Sequence, residues 1–447
     1  MTHRSEPPEH FEHAFSQEVD PVLVIRRAES LMASDPELAL WLLQYSDFLQ
    51  RRNSTRQVPP PQRLVDVCTI QPWAERSGYG FMRDTEAVGM RVPRNLDAFR
   101  QPWKIALGLI AESYRRPYGI AVGENVRMIG WAGDAQINHQ YWVFSHDWHM
   151  LHHEPLWLKL TIDYSRFFDE VNSRTIVDLR REGAPIQEQY FDETVILLGG
   201  SSNFSHFMVD SIANLWSLRK LPNFSRYPIV LQKLAPWQRD VLAELYVANP
   251  IIELEPKGSC FRAYRFRKAI VPSGLPIPEA YHRLRQMFGV DAETRPASPG
   301  GEAIFLTRGS ASHGRIDNED EVVSYLKEQG VAIVDPANLT VREKIEIIGG
   351  ARLVITPSGS GITNFPIFAS ATARLLSFMP QWWVENTVFD QIIGGLVYVL
   401  PYLERTDFVS GKHRSWDDSI MPLNNPSHFP MPDVIGQFQK AKSAAGL

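Results

Sequence analysis

His206 and Asp210 stand four residues apart in Asn203-Phe-Ser-His-Phe-Met-Val-Asp210, and the apolar residues around them (Phe204, Met208, Ile212, Leu215, Trp216) recur at helical spacing. On a helix, positions i and i+4 lie on one face. A neutral imidazole there can accept a proton from a hydroxyl, and a carboxylate one turn on can orient the ring and stabilise its cation. The same spacing also suits a solvated ion pair worth about 0.2–0.5 kcal/mol and no chemistry. The rest of the stripe, Asn214 and Ser217, is polar, which favours a face that meets a ligand.

A second set of residues suits an anion. Leu353-Val-Ile is a short apolar run, and Thr356-Pro357-Ser358 ends it, because proline lacks an N–H and biases the preceding residue away from helix. Gly359-Ser360-Gly361 is a small-residue loop, and Ile362 to Phe368 can continue as a helix through Thr363 and Asn364. Strand, glycine loop and helix start together present backbone N–H groups to a phosphate. A tight turn that needs its glycines for itself reads equally well from this segment alone. Arg308 follows the strand-like Ile304-Phe-Leu-Thr, and Glu319 and Glu321 open the next helix. A guanidinium suits a diphosphate and a carboxylate suits a ribose hydroxyl. Taken singly, Arg308 is also an ordinary surface residue, and the two glutamates ordinary helix-start acids.

His146, His149, His152 and His153 fall within eight positions, but no His-Glu-x-x-His and no second ligand cluster accompanies them. No metal site is expected. The chain has no Asp-x-Asp pair either. Two cysteines exclude a disulfide framework and a zinc-finger spacing. A net charge of −5 argues against a function dominated by nucleic acid. The 49 aromatic residues (12 Trp, 14 Tyr and 23 Phe) suit stacking on sugar rings but suit a large core better. Residues 1–20 lack an apolar signal-like stretch, and no run of about eighteen apolar residues occurs, so no transmembrane segment and a cytoplasmic location are expected.

The elements that must position these groups alternate. Strands are predicted at 119–122, 141–144, 194–198, 229–231, 251–254 and 264–271, with helices over 203–218, 237–247 and 279–288. After a Pro/Gly-rich linker at 294–301, strands at 304–306, 331–334, 353–355, 374–378 and 397–400 alternate with helices. Those helices start at the capping-box-like pairs Asn318/Glu321 and Thr340/Glu343. Helices are also expected within 21–49 and over 433–441. Such alternation implies βαβ units and a parallel sheet, with ligands beyond the carboxyl ends of the strands. The resulting division is an N-terminal extension (1–115, partly disordered and helical), a Rossmann-like domain (116–293), the linker (294–301), a second Rossmann-like domain (302–400) and a loop-rich tail (401–447).

Several stretches in this order resemble glycosyltransferase family 61. They are Asn203-Phe-Ser-His206 with Asp210, Ile304-Phe-Leu-Thr-Arg308, Arg315-Ile-Asp-Asn-Glu-Asp-Glu321, Val334-Asp-Pro336, Ala351-Arg-Leu-Val-Ile355 and Gly359-Ser-Gly-Ile-Thr-Asn364. The resemblance implies a GT-B-like α/β fold, with two Rossmann-like domains facing across a cleft. It implies inverting transfer of a sugar from a nucleotide sugar, with a UDP-sugar the expected form, to a glycan hydroxyl, in surface polysaccharide synthesis. His206 and Asp210 are then the catalytic pair. Arg308, Glu319, Glu321, Ser358, Gly359, Ser360, Gly361, Thr363 and Asn364 are then the donor site, and no further cofactor or metal is implied. Two positions depart from the family's pattern: Ser358 stands where it usually has histidine, and Ser360 where its loop has alanine.

Three other readings compete. A catalytically silent sugar-nucleotide-binding or scaffold protein of the same fold is motivated by Ser358. A dinucleotide oxidoreductase is disfavoured because the loop lacks the third glycine and follows a late strand of its domain. A serine hydrolase at Ser360 fails because Ser358 stands where the first glycine of a nucleophile elbow belongs.

Overall fold

A computed structural model of the chain describes residues 26, 30, 67–69, 74, 81–85, 118–130, 141–144, 150–152, 188–201, 203–254, 262–275, 277–290, 300–308, 316–357, 359–380, 405–411 and 427–447. Among them, two sheets carry the fold. The first holds β1 (Val67–Thr69), β2 (Phe81–Thr85), β3 (Tyr118–Gly130), β4 (Tyr141–Phe144), β5 (Met150–His152), β6 (Glu188–Gly199), β7 (Ile229–Gln232), β8 (Ile251–Leu254) and β9 (Arg262–Pro272). Its order is β1-β5-β4-β3-β9-β6-β7-β8, with β2 also on β3. The second holds β10 (Ala303–Leu306), β11 (Ala332–Val334), β12 (Leu353–Pro357), β13 (Arg374–Pro380) and β14 (Thr406–Gly411), ordered β11-β10-β12-β13-β14.

The second sheet is parallel throughout. The first is parallel across β9-β6-β7-β8 and again between β1 and β5. Its other half departs from the expected βαβ pattern, since β3 runs antiparallel to β9, β4 and β2, and β4 to β5.

Helices α1 (203–218, beginning at its Asn203 cap), α2 (Pro236–Glu244), α3 (Ile277–Met287), α4 (Glu319–Glu328), α5 (Val341–Gly349), α6 (Asn364–Phe368) and α7 (Met431–Ala444) complete the described framework. Their starts follow local chemistry. The Asn203 carboxamide oxygen accepts from the Ser205 and His206 N–H groups at 2.9 and 3.4 Å. Thr340 and Glu343 form the expected capping box. Asn318 does not. Its side chain is turned away to bond both the N–H and the C=O of Phe429, 111 residues on, at 3.0 and 2.9 Å. That pair of bonds ties the start of α4 to the segment before α7.

Strand alternation builds the layers. Ile304 and Leu306 face one way and Phe305 the other, as a two-residue period requires. Ile304, Leu306, Val354 and Leu375 join Ile196, Leu198, Ile229 and Ile270 of the first sheet in one apolar cluster, filled by residues of α1, α2, α3, α5 and α6. Val195, Leu197, Val230 and Phe266 form a separate cluster on the far face of the first sheet. Phe305, Ile355 and Phe378 pack with Val322 and Leu326 of α4 and Phe438 of α7 on the far face of the second. The two sheets therefore sandwich a shared helical layer.

The second sheet does not end near residue 400. β14 pairs along β13 from Leu375↔Thr406 to Pro380↔Gly411, and α7 packs behind it. The part of the tail that is described is therefore core. β1 and β2 likewise bring two pieces of the 1–115 extension into the first sheet. Of the helices expected within 21–49 only Arg26 and Ser30 are described, both helical, while the strand at 397–400 and the linker at 294–299 lie outside the described residues, as do His146, His149 and His153. His152 lies on β5, at its edge.

Candidate active site

The second sheet has a point where its chain order reverses. From β10 the chain steps to β11 on one side, then crosses to β12 on the other. At such a point a crevice opens beyond the carboxyl ends of the two central strands. The residues there are Thr307 and Arg308 after β10, and the loop beginning at Ser358 and Gly359 after β12.

Burial lowers the Arg308 guanidinium from its usual value, and the nearby Glu319 carboxylate opposes that shift. Arginine still carries its charge under such conditions. Glu319 also accepts a 2.8 Å bond from the Thr307 hydroxyl, so it serves the architecture of the Arg308 corner. Glu321 is exposed and takes a 3.2 Å bond from Asn318 Nδ2.

Gly359 has φ 121°, which strongly favours glycine. Gly361 has no such need: a Cβ there would meet only Thr356 Oγ1, at 3.9 Å. The helix expected over 362–368 forms as a 3₁₀ turn, Ser360–Thr363, followed by the five-residue α6. A helix this short has little macrodipole, so any anion here depends on loop N–H groups and Arg308. Thr363 and Asn364 are buried. Asn364 Nδ2 bonds the Gly361 carbonyl at 2.8 Å, bracing the loop from behind. Ser358 lies outside the described residues, and Ser360 is placed through its backbone alone.

The first sheet reverses as well. The chain runs β6, β7, β8 in one direction, and β9 returns to the other side of β6. After β6 comes Gly199-Gly200, both at positive φ, and then α1. His206 Nδ1 and Asp210 Oδ2 are 2.7 Å apart, with side-chain exposures of 14% and 26%. Phe207–Ser211 is a π-helical turn, with the Ile212 N–H reaching the carbonyls of both Phe207 and Met208. Local widening of this kind recurs at functional sites. Asp210 sits in this turn, and its backbone carbonyl accepts from Asn214 Nδ2 at 2.7 Å.

The two half-sites meet. Phe204–His206 packs against Ser360–Thr363, and the Ser205 and Thr363 hydroxyls are hydrogen-bonded to each other. The structure thus brings the turn that carries His206 against the segment that follows Gly359. Ser205 and Thr307 contribute contacts that sequence patterns do not reveal: each is a small hydroxyl residue whose partner lies elsewhere in the chain.

Residues 204–375 match the family model described as Glycosyltransferase 61. The chain carries a glycosyltransferase family 61 region. That region begins at α1 and ends in β13, so it contains His206, Asp210, Arg308, the helix-start glutamates and the whole glycine loop. No curated protein matches the chain. Glycosyltransferases of this kind act on a nucleotide-sugar donor and an acceptor. Among the described residues, no helix is long and apolar enough to cross a membrane.

Proposed function

We propose that this glycosyltransferase works by inversion, with the donor in the β10/β12 crevice and the acceptor hydroxyl beside His206, in the facing-domain arrangement of a GT-B enzyme. The observation that carries this reading is the packing of the His206 turn against the glycine loop. Arg308 and the loop N–H groups receive the diphosphate of a nucleotide sugar, a UDP-sugar being the first to test. With the His206 Nδ1 proton directed to Asp210, Nε2 is the nitrogen that accepts the acceptor's proton. The acceptor oxygen bonds to the anomeric carbon as the bond from that carbon to the diphosphate oxygen breaks. The nucleoside diphosphate departs with the electron pair, and Asp210 stabilises the imidazolium. The acceptor we assign is a glycan hydroxyl in surface polysaccharide synthesis, carried out in the cytoplasm and without a bound metal.

Ser358 motivates one second reading, a silent donor-binding protein of the same fold. Incubation with UDP-, GDP- and CMP-sugars, following release of free nucleotide, separates the two. Release that is lost in Arg308→Ala supports the enzyme. Binding without release, even with candidate glycan acceptors present, supports the silent protein. Neither binding nor release contradicts both.

A further inference from the structure

The contact between Ser205 and Thr363 joins residues 158 apart in sequence, and both are almost fully enclosed, at 2% and 0% exposure. Ser205 precedes His206. Thr363 closes the 3₁₀ turn that follows Gly359. Other ties join neighbouring helices without touching the loop, α2 to α5, α5 to α1 and α3 to α6. Asp240 Oδ2 accepts from the Val341 N–H at 2.9 Å, and Lys344 Nζ lies 4.6 Å over the Phe204 ring. Arg285 Nη1 donates to the Pro366 and Ala369 carbonyls at 3.3 and 2.6 Å. These hold the two units together. An additional buried hydroxyl pair is not needed for cohesion, since an apolar pair of the same size would fill the space.

What the hydroxyl pair adds is direction. Dispersion contacts allow two surfaces to slide, whereas a hydrogen bond fixes distance and angle between its atoms. Asn203 already locks the backbone on the Ser205 side through its cap, and Asn364 locks the Thr363 side through Gly361. The bond therefore links two rigid pieces, one carrying the imidazole and the other the glycine loop.

We infer that Ser205 and Thr363 are positioning residues, a buried hydroxyl couple that sets the imidazole of His206 at a fixed distance from the donor's diphosphate. This rests on the functional reading above. The family resemblance puts Thr363 in the donor site, but its side chain is fully enclosed and bonded to Ser205, so in this role it acts through Ser205 and not by contact with the nucleotide. Misplacing a reacting group by about 1 Å can cost about a hundredfold in rate.

A double-mutant cycle on the full chain tests this, with Ser205→Ala, Thr363→Val and the pair, and with Thr363→Ser as the variant that keeps the hydroxyl. Three quantities are read: melting temperature, UDP affinity by calorimetry, and turnover of a UDP-sugar. The expected result is turnover lowered about ten- to a hundredfold in each single variant, with the pair no worse than the worse single. UDP affinity stays within about twofold, and Thr363→Ser keeps most of the rate. Singles that turn over like the wild type, losses that multiply in the pair, UDP affinity falling in step with rate, or Thr363→Ser as slow as Thr363→Val each overturn the couple. If a variant does not fold, the comparison of Thr363→Ser with wild type still decides, because a large rate loss in that folded variant contradicts the proposal. A wild-type protein that neither binds UDP nor consumes any UDP-, GDP- or CMP-sugar removes the functional reading, and the couple with it.

Discussion

In the proposed reading His206 is the general base, and its variants have distinct signatures. His206→Ala should cut turnover at least about a hundredfold, the ordinary worth of a general base, and Asp210→Asn should cost less, because it removes only orientation and charge stabilisation. Donor affinity should barely change in either, and single-turnover kinetics with saturating donor would check both. Gly359 and Gly361 should also separate. Gly359→Ala places a side chain at φ 121° and should lower stability. Gly361→Ala meets only Thr356 Oγ1, at 3.9 Å, so it should melt like the wild type; it and the bulkier Gly361→Val should weaken nucleotide binding if a phosphate approaches that backbone. A Gly361→Val protein with wild-type affinity would move the phosphate elsewhere. The His206–Asp210 pair was legible because both partners sit on one helix, where spacing alone decides that they meet. Ser205–Thr363 and Asn318–Phe429 were not, because long-range partners leave no periodic trace.

Among the elements, α5 shows how burial adjusts a charge. Lys344 faces the apolar layer beside Phe204, and burial pushes its ammonium from 10.5 down to about 8, against the pull of Asp240 and Asp335. Between about pH 8 and 10.5 the unfolded chain holds a proton that the folded chain has released. Unfolding then takes up protons, so this residue makes stability rise with pH through that window. The unfolding free energy of the wild type minus that of Lys344→Met should therefore increase from pH 8 to pH 10 in urea titrations. A difference that stays flat or falls would show that Lys344 keeps its ordinary affinity for protons. The helix and strand cores followed from hydrophobic period, as at β8 and β4, and the α5 capping box from two residues three apart. The π-helical turn in α1 was hidden, since a one-residue widening shifts the face by less than the width of its apolar stripe.

For the whole molecule, the second sheet's parallel order followed from the alternation of strands and helices, but its last strand did not. β14 buries the polar Thr406 and Asp407, and Asp407 is neutralised by Arg374 and Lys440 at 2.9 Å each. Polar residues that find partners in the fold break the apolar run that marks a strand. β1 and β2 were equally hidden, being three and five residues long. In the proposed reading Arg308 and backbone N–H groups supply the positive potential that the donor's diphosphate needs, and the chain has no Asp-x-Asp pair. Turnover should therefore survive EDTA; activity lost to EDTA and restored by Mn²⁺ or Mg²⁺ would contradict this. The central claim is that the β10/β12 crevice binds the donor's diphosphate while His206 serves chemistry alone. Calorimetric titration of UDP, GDP and CMP onto the wild type, Arg308→Ala and His206→Ala tests it most directly. We predict that one diphosphate binds the wild type, binds His206→Ala equally well, and loses about 1.5–3 kcal/mol on Arg308→Ala, the usual worth of a hydrogen bond to a charged group. Unchanged affinity in a folded Arg308→Ala protein, or no binding of any of the three to the wild type, would contradict it.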